Sequence, residues 1–195
     1  LLSTGAVQLG ILGKGPGDAA ERDLSCLDSG RVAGISNDGR VIVANIVGES
    51  ATSKGSIYMR KTDGSPAARV GDGHAYKLSP DGKQLLGPKA NGGWIVYSVD
   101  GAAPRDALGI EPNEFPMGWR SDNRSAFVRP NRESTASIPV AVVDIVTGKR
   151  SAWKEIRPAQ PVVEIHDLYI TPDGAGYAYN FVLIQSDLYV AKGLQ

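Results

Sequence analysis

The sequence predicts an all-β fold of repeated four-stranded antiparallel units, and three observations carry that expectation. First, one turn type recurs: Asn37-Asp38-Gly39, Pro80-Asp81-Gly82, Ser121-Asp122-Asn123 and Pro172-Asp173-Gly174, with the aspartates 43, 41 and 51 residues apart. Second, another series runs beside it, Asp63-Gly64, Asp100-Gly101, Thr147-Gly148 and Lys192-Gly193, and the two turns of each unit lie 25, 19, 25 and 19 residues apart. Third, the stretches between turns are β-branched and aromatic runs of strand length, without a sustained i, i+3, i+4 pattern. A period of about 40–50 residues with four strands per unit is the signature of a β-propeller blade. About four blades and a leading blade remnant are expected, as part of a larger propeller.

Taken in chain order, residues 1–12 form the remnant, and the units run roughly over 24–71, 74–108, 115–154 and 162–195, all in one propeller or partial propeller domain. The sequence opens "LLSTG", without an initiating Met or a charged leader, and reads as a piece of a longer chain. "GILGKGPG" (10–17) reads as a flexible connection between blades. "GDAAERDLS" (17–25) is the one stretch that resembles a short helix, and it equally suits a loop. After each first turn comes a strand: "VIVAN" (41–45), "QLLG" (84–87), "SAFV" (125–128) and "GYAYNFV" (176–182). Before each second turn comes another: "SIYMRKT" (56–62), "WIVYSV" (94–99), "VAVVDIV" (140–146) and "DLYVAK" (187–192). The turn residues have direct causes: Pro presets φ, Asp bonds its own backbone, and Gly, or Asn123 in the third copy, accepts φ > 0. The competing reading is four unrelated hairpins in a sandwich, against which the matched offsets argue. The last unit lacks a fourth strand and would expose an edge. Either residues 6–12 close a small four-bladed ring or upstream blades do, and the second is preferred.

Composition bounds the function. In 195 residues, 21 Lys and Arg balance 21 Asp and Glu, so no global field points to nucleic acid, and no nucleic-acid partner is expected. The longest strongly apolar run, 140–146, is broken by Asp144 and is far too short to span a bilayer, so no direct membrane insertion is expected. One cysteine, Cys26, allows no disulfide within the chain.

Candidate chemistry is sparse. "GISNDG" (34–39) lacks nucleophile-elbow spacing, and its Ser36 fits a turn-flanking role. "SPDGKQLL" lacks the Trp and the spacing of a sialidase turn, and Lys14 lacks the flanking Gly and Ser/Thr of a phosphate loop. No catalytic residue, cofactor or metal site is expected. The two histidines, His74 and His166, fall just before innermost strands and would face one end of the channel. Arg120, Arg124, Arg129 and Arg132 form a local basic run offset by Asp122 and Glu133. Arg129 and Arg132 would sit in the long loop "RPNRESTASIP", where guanidinium groups grip a carboxylate or phosphate on a partner. His74, Arg120, Arg129, Arg132, Glu133 and His166 are therefore the candidate binding residues, each with a solvated loop or ordinary surface position as the plainer alternative. Trp94, Trp119 and Trp153 are expected to pack between blades.

"LSPDGKQLL", "GWRSDNRSAFV" and "ITPDGAGYAYNFVLIQSDLYVAKGL" resemble the TolB-type propeller repeat, in the form found C-terminal to bacterial serine/threonine kinase domains. The resemblance implies a non-catalytic, WD-repeat-like sensor or docking domain of a multidomain bacterial signalling protein, lying outside the cytoplasm, with a cytoplasmic location left open. The alternatives are the propeller cap of a prolyl-oligopeptidase-type peptidase and a TolB-like envelope assembly module. No kinase glycine loop or catalytic loop is visible in this segment. In a propeller the short regular turns share one face, and the second-to-third strand loops (46–55, 88–93, 129–139) share the other with the connections at 71–74, 109–118 and 154–164. That irregular face is the expected binding surface for a protein or small-molecule ligand, and the remaining blades of the parent chain are the other expected partner.

Overall fold

The structure, a computed structural model, describes residues 9–26, 28–48, 51–90, 92–131, 137–160 and 162–184. Among these residues all regular structure is β, and no helix is long and apolar enough to cross a membrane. A leading pair, β1 (Leu12–Gly13) and β2 (Arg22–Asp23), precedes three four-stranded antiparallel sheets. These are blade 1, β3 (Gly30–Ile35) to β6 (Ala68–Asp72) through β4 (Val41–Ile46) and β5 (Ser56–Lys61); blade 2, β7 (Lys77–Leu78), β8 (Gln84–Pro88), β9 (Trp94–Ser98) and β10 (Arg105–Asp106); and blade 3, β11 (Glu114–Trp119), β12 (Ser125–Pro130), β13 (Ile138–Asp144) and β14 (Arg150–Ile156). A final pair, β15 (Glu164–Ile170) and β16 (Tyr177–Val182), begins a fourth blade. The expected strand "DLYVAK" and the turn at Lys192-Gly193 lie outside the described residues.

Each sheet is ordered as its strands occur in sequence, and the first strands β3, β7, β11 and β15 pack side by side. They are therefore the inner strands of a ring segment, the arrangement of a β-propeller. The strands look continuously apolar because both faces of each blade are covered by neighbours. On β12, Ala126 and Val128 pack toward blade 2, while Phe127 packs toward the final pair. On β4, Ile42, Ala44 and Ile46 meet Ile11, Leu24 and Cys26 of the leading pair, whereas Val43 meets Ala75, Leu85 and Tyr97 of blade 2. All three tryptophans sit between blades: the Trp94 indole donates to Glu114 O at 3.0 Å, that of Trp119 to Lys77 O at 2.9 Å, and Trp153 packs edge-on to Phe127 and Tyr177.

The regular turns are held by a shared device. Ser36 and Ser79 each donate a hydroxyl hydrogen bond of 2.6 Å to Asp38 and Asp81, and Thr171 donates likewise to Asp173. Each hydroxyl in turn accepts the amide five residues on, from Val41, Gln84 and Gly176. The hydroxyl bonds, foremost among the causes, hold the Asp38 and Asp173 carboxyls below the ordinary carboxylate range. In blade 3 Arg120 occupies the hydroxyl's place. There Asp122 accepts the amides of Arg124 and Ser125, and Asn123 takes φ 55° and ties the turn to blade 2 by accepting from Asp81 N and Gln84 Nε2.

One local expectation changes, and one left open is decided. "GILGKGPG" is not a connection between blades: it lies within the leading pair, in the hairpin joining β1 to β2, where Asp18 accepts Gly15 N and pairs with Arg22 at 2.6 Å. Residues 17–25 form no helix, because the chain turns at Gly17 (φ 83°) and enters β2.

Candidate functional site

The antiparallel order sends every first-to-second and third-to-fourth strand turn to one end of the ring, and every second-to-third loop and connection to the other. The irregular end carries a cleft of about 840 Å³ between blades 1 and 2. Its walls come from three of the expected irregular segments: the β4–β5 loop with Thr52, Ser53 and Lys54, the blade connection with Asp72 and His74, and the β8–β9 loop with Lys89. Buried Tyr97 forms the floor. Its ring lies where Cβ atoms at Gly71 and Gly87 would stand 3.2 and 3.0 Å away, and its hydroxyl donates to Asp72 O at 2.8 Å. The connection is anchored by Asn45, whose amide side chain donates to Ala75 O and accepts from Ala75 N. The His74 imidazole lies over Gly55, at φ 82°, where a Cβ would be 3.0 Å from the ring.

A second concavity, of about 290 Å³, lies in the channel wall formed by β7, β11 and β15, toward the same end. Arg129 projects into it, with its Nε 3.2 Å from Met117 Sδ and one Nη donating to Pro130 O. Burial pushes the guanidinium down from its ordinary value, opposed by the Asp167 carboxylate. Lys77 Nζ stands 5.6 Å from the Tyr169 ring centre, and Tyr76 packs edge-on against Trp94 and Phe115. A third hollow of about 490 Å³ lies at the regular-turn end, between the Gly15-Pro16 loop and the turns bearing Asp38 and Asp63.

The structure separates the six candidate residues. His74 lines the cleft and Arg129 lines the channel. Arg129 lies in β12, paired with Phe115, rather than in the following loop; the strand runs on to Pro130 because β11 still offers partners there. His166 lies within β15 rather than before it, with Nδ1 3.3 Å from Glu164. Arg120 is at the regular-turn end, remote from the irregular loops, with its guanidinium carbon 5.8 Å from the Phe127 ring centre. Arg132 and Glu133 lie outside the described residues. Among the described residues, no group of three His, Cys, Asp or Glu is placed to hold a metal ion. Sequence reading missed Lys54, Lys89, Lys77 and Tyr97 as cleft and channel residues. Their only signal was position in or beside irregular segments.

The architecture defines a β-propeller, and comparison with known proteins agrees. No family model matches the sequence and no curated protein matches it significantly. Among solved structures, the chain is similar to a protein described as a TolB from Agrobacterium tumefaciens (15 % identity, 84 % of this chain and 62 % of that one, TM-score 0.56). It is similar also to TolB from Acinetobacter baumannii (13 %, 86 % and 47 %, TM-score 0.54) and to an oligogalacturonate lyase solved with manganese (14 %, 80 % and 49 %, TM-score 0.51). These likenesses establish the fold, a β-propeller, and the chain spans between about half and three-fifths of the length of each.

Proposed function

We propose that this chain is a binding module, not a catalyst, that docks a protein or small-molecule ligand on its irregular-loop face. One observation carries the reading: Arg129, half-buried in the channel wall, has no carboxylate within salt-bridge distance among the described residues, and the concavity it lines sets two cations, Arg129 and Lys77, against one carboxylate, Asp167, beside Tyr76 and Tyr169. A guanidinium held by a thioether and one carbonyl retains donors for a planar oxyanion, and a carboxylate on a partner satisfies them bidentately. The partner then packs its apolar flank against the exposed edge of Tyr76 and Tyr169, which are 42 % and 61 % accessible.

The resemblance read from the sequence supplies the finer picture: a C-terminal sensor or docking domain of a bacterial serine/threonine kinase-like protein, outside the cytoplasm, completed by further blades of its parent chain, with residues 1–195 in one propeller domain. The likeness in fold to the TolB structures supports an envelope assembly module as the second reading. A photo-crosslinking amino acid in place of Asn131, at the irregular end, is expected to capture a partner in cells, and Arg129→Ala to abolish that adduct. Adducts formed only from Asp100, on the regular turns, overturn the proposal.

A further inference from the structure

We infer that the cleft between blades 1 and 2 is a separate site for a carboxylate on an apolar stem, of the kind a peptide chain presents at an aliphatic C-terminus. Charge accounting points to the anion. Among the described lining residues, Lys89 is spent on Asp106 at 3.0 Å, and Asp72 on Arg69. Lys54 and His74 have no hydrogen-bond or ion-pair partner among the described residues, and both line this cleft, the imidazole lying over the backbone of Gly55, the residue next to Lys54. Ser53 adds a hydroxyl to the lining, whereas the Thr52 hydroxyl is already bonded to Gly55 O. An ammonium, an imidazole and a hydroxyl lining one cleft, with its lining carboxylate Asp72 already paired, make a donor-rich set that suits an acceptor-rich, negatively charged group.

The cleft behind that mouth specifies the rest of the ligand. Val47, Pro88, Ala90 and Ile95 line it, and Tyr97 closes it. Tyr97 is 7 % accessible and its hydroxyl is committed to Asp72 O, so it presents no open ring face for stacking a sugar or base. An aliphatic side chain fits this wall, and a volume of about 840 Å³ is within the range of small-ligand sites. Backbone approach is close because Gly48, Gly55 and Gly73 all take positive φ, which a β-carbon would strain. Sequence reading names His74 as a candidate binding residue and leaves its ligand open. The cleft supplies one.

The inference rests on the irregular face being the binding face, but not on Arg129. Calorimetric titration of the intact protein that carries this chain with acetyl-Gly-Gly-Leu, its C-terminal amide and inorganic phosphate tests it, with hydrogen exchange to map the site. The free carboxylate is expected to bind at least about tenfold tighter than the amide, with protection over 51–55 and 72–75. Lys54→Ala is expected to weaken it about five- to tenfold, and His74→Gln to weaken it less. Lys83→Ala, a lysine on the opposite face, controls for net charge and is expected to change nothing. Equal affinity for carboxylate and amide, no binding at millimolar peptide, or phosphate binding as tightly as peptide overturns the inference. Protection confined to the channel around Arg129 overturns it and leaves the proposed function standing. Protection confined to the regular turns overturns both.

Discussion

The interface between blades 2 and 3 and the interface between blades 1 and 2 are built from the same repeat, yet they close differently. Between blades 2 and 3, Leu86, Trp94, Val96 and Ile110 pack against Trp119, Val128, Val143 and Ile145, and both indoles bond to carbonyls across the gap. A three-ring cluster of Tyr76, Trp94 and Phe115, with centroids 5.4 to 5.7 Å apart, seals that interface near the irregular end. Between blades 1 and 2 the buried core is smaller, Val43, Ile57, Ala75, Leu85 and Tyr97, and Gly71 and Gly87 leave just the room that the Tyr97 ring takes. Glycine there lets the Tyr97 ring lie against the backbone, and the cleft opens above it. The larger cleft thus lies beside the smaller of these two inter-blade cores.

That contrast can be broken most strongly at Trp119. Trp119→Ala is expected to cost about 3–5 kcal/mol in denaturant unfolding, because it leaves a cavity at 3 % accessibility and frees Lys77 O. If it costs no more than changes at the thinner interface, the distinction fails. At that thinner interface, Asn45→Ala removes both side-chain partners of Ala75 and is expected to cost about 1–3 kcal/mol, with faster amide exchange over 72–76. Tyr97→Phe keeps the packing and loses one hydrogen bond to Asp72 O, for about 1 kcal/mol. Lys54→Ala is expected to move stability by less than about 0.5 kcal/mol, since the lysine is exposed and no described residue pairs with it. Acid sensitivity sharpens the contrast from the blade 3 side. Burial alone would raise the Asp144 carboxyl, but the amides and hydroxyl of Thr147, the amide of Val146 and the Arg124 guanidinium hold it down to about 2, against an ordinary 3.8. Its contribution to stability is therefore full above pH 3.8 and is lost as pH falls toward about 2. Asp144→Asn is expected to flatten the urea midpoint against pH within that window, and an unchanged profile would contradict the assignment.

Much of the fold was legible because turn chemistry is local. Gly39, Gly82 and Gly174 take φ of 68°, 72° and 73°, and Asn123 takes 55°, as the turn residues require. The strands "VIVAN" and "QLLG" fall within β4 and β8, and "SIYMRKT" differs from β5 by one residue at its end. The hydroxyl two residues before each turn aspartate was present in three copies, and its role became visible only with the bond to the carboxylate. The site was less legible. His74 was named from position, but its neighbours Lys54, Lys89 and Tyr97 come from two other loops and strands, and no spacing in the chain announces that they meet. Arg129 was assigned to a loop because the basic run looked like loop composition. Pairing with β11 carries the strand past it.

By itself the sequence determined the repeat, the turn ends and therefore which face would be regular, because these follow from φ preferences and strand-length apolar runs acting over a few residues. Only the tertiary structure decided where that scaffold is concave and which charges remain unpaired. Lys89 finds Asp106, Arg150 finds Glu114 and Asp72 finds Arg69, while Lys54 and Arg129 have no carboxylate within salt-bridge distance among the described residues. The pairs to Lys89 and Arg150 join residues 17 and 36 apart in the chain, each within one blade, brought together by the folding of its four strands rather than by any local preference.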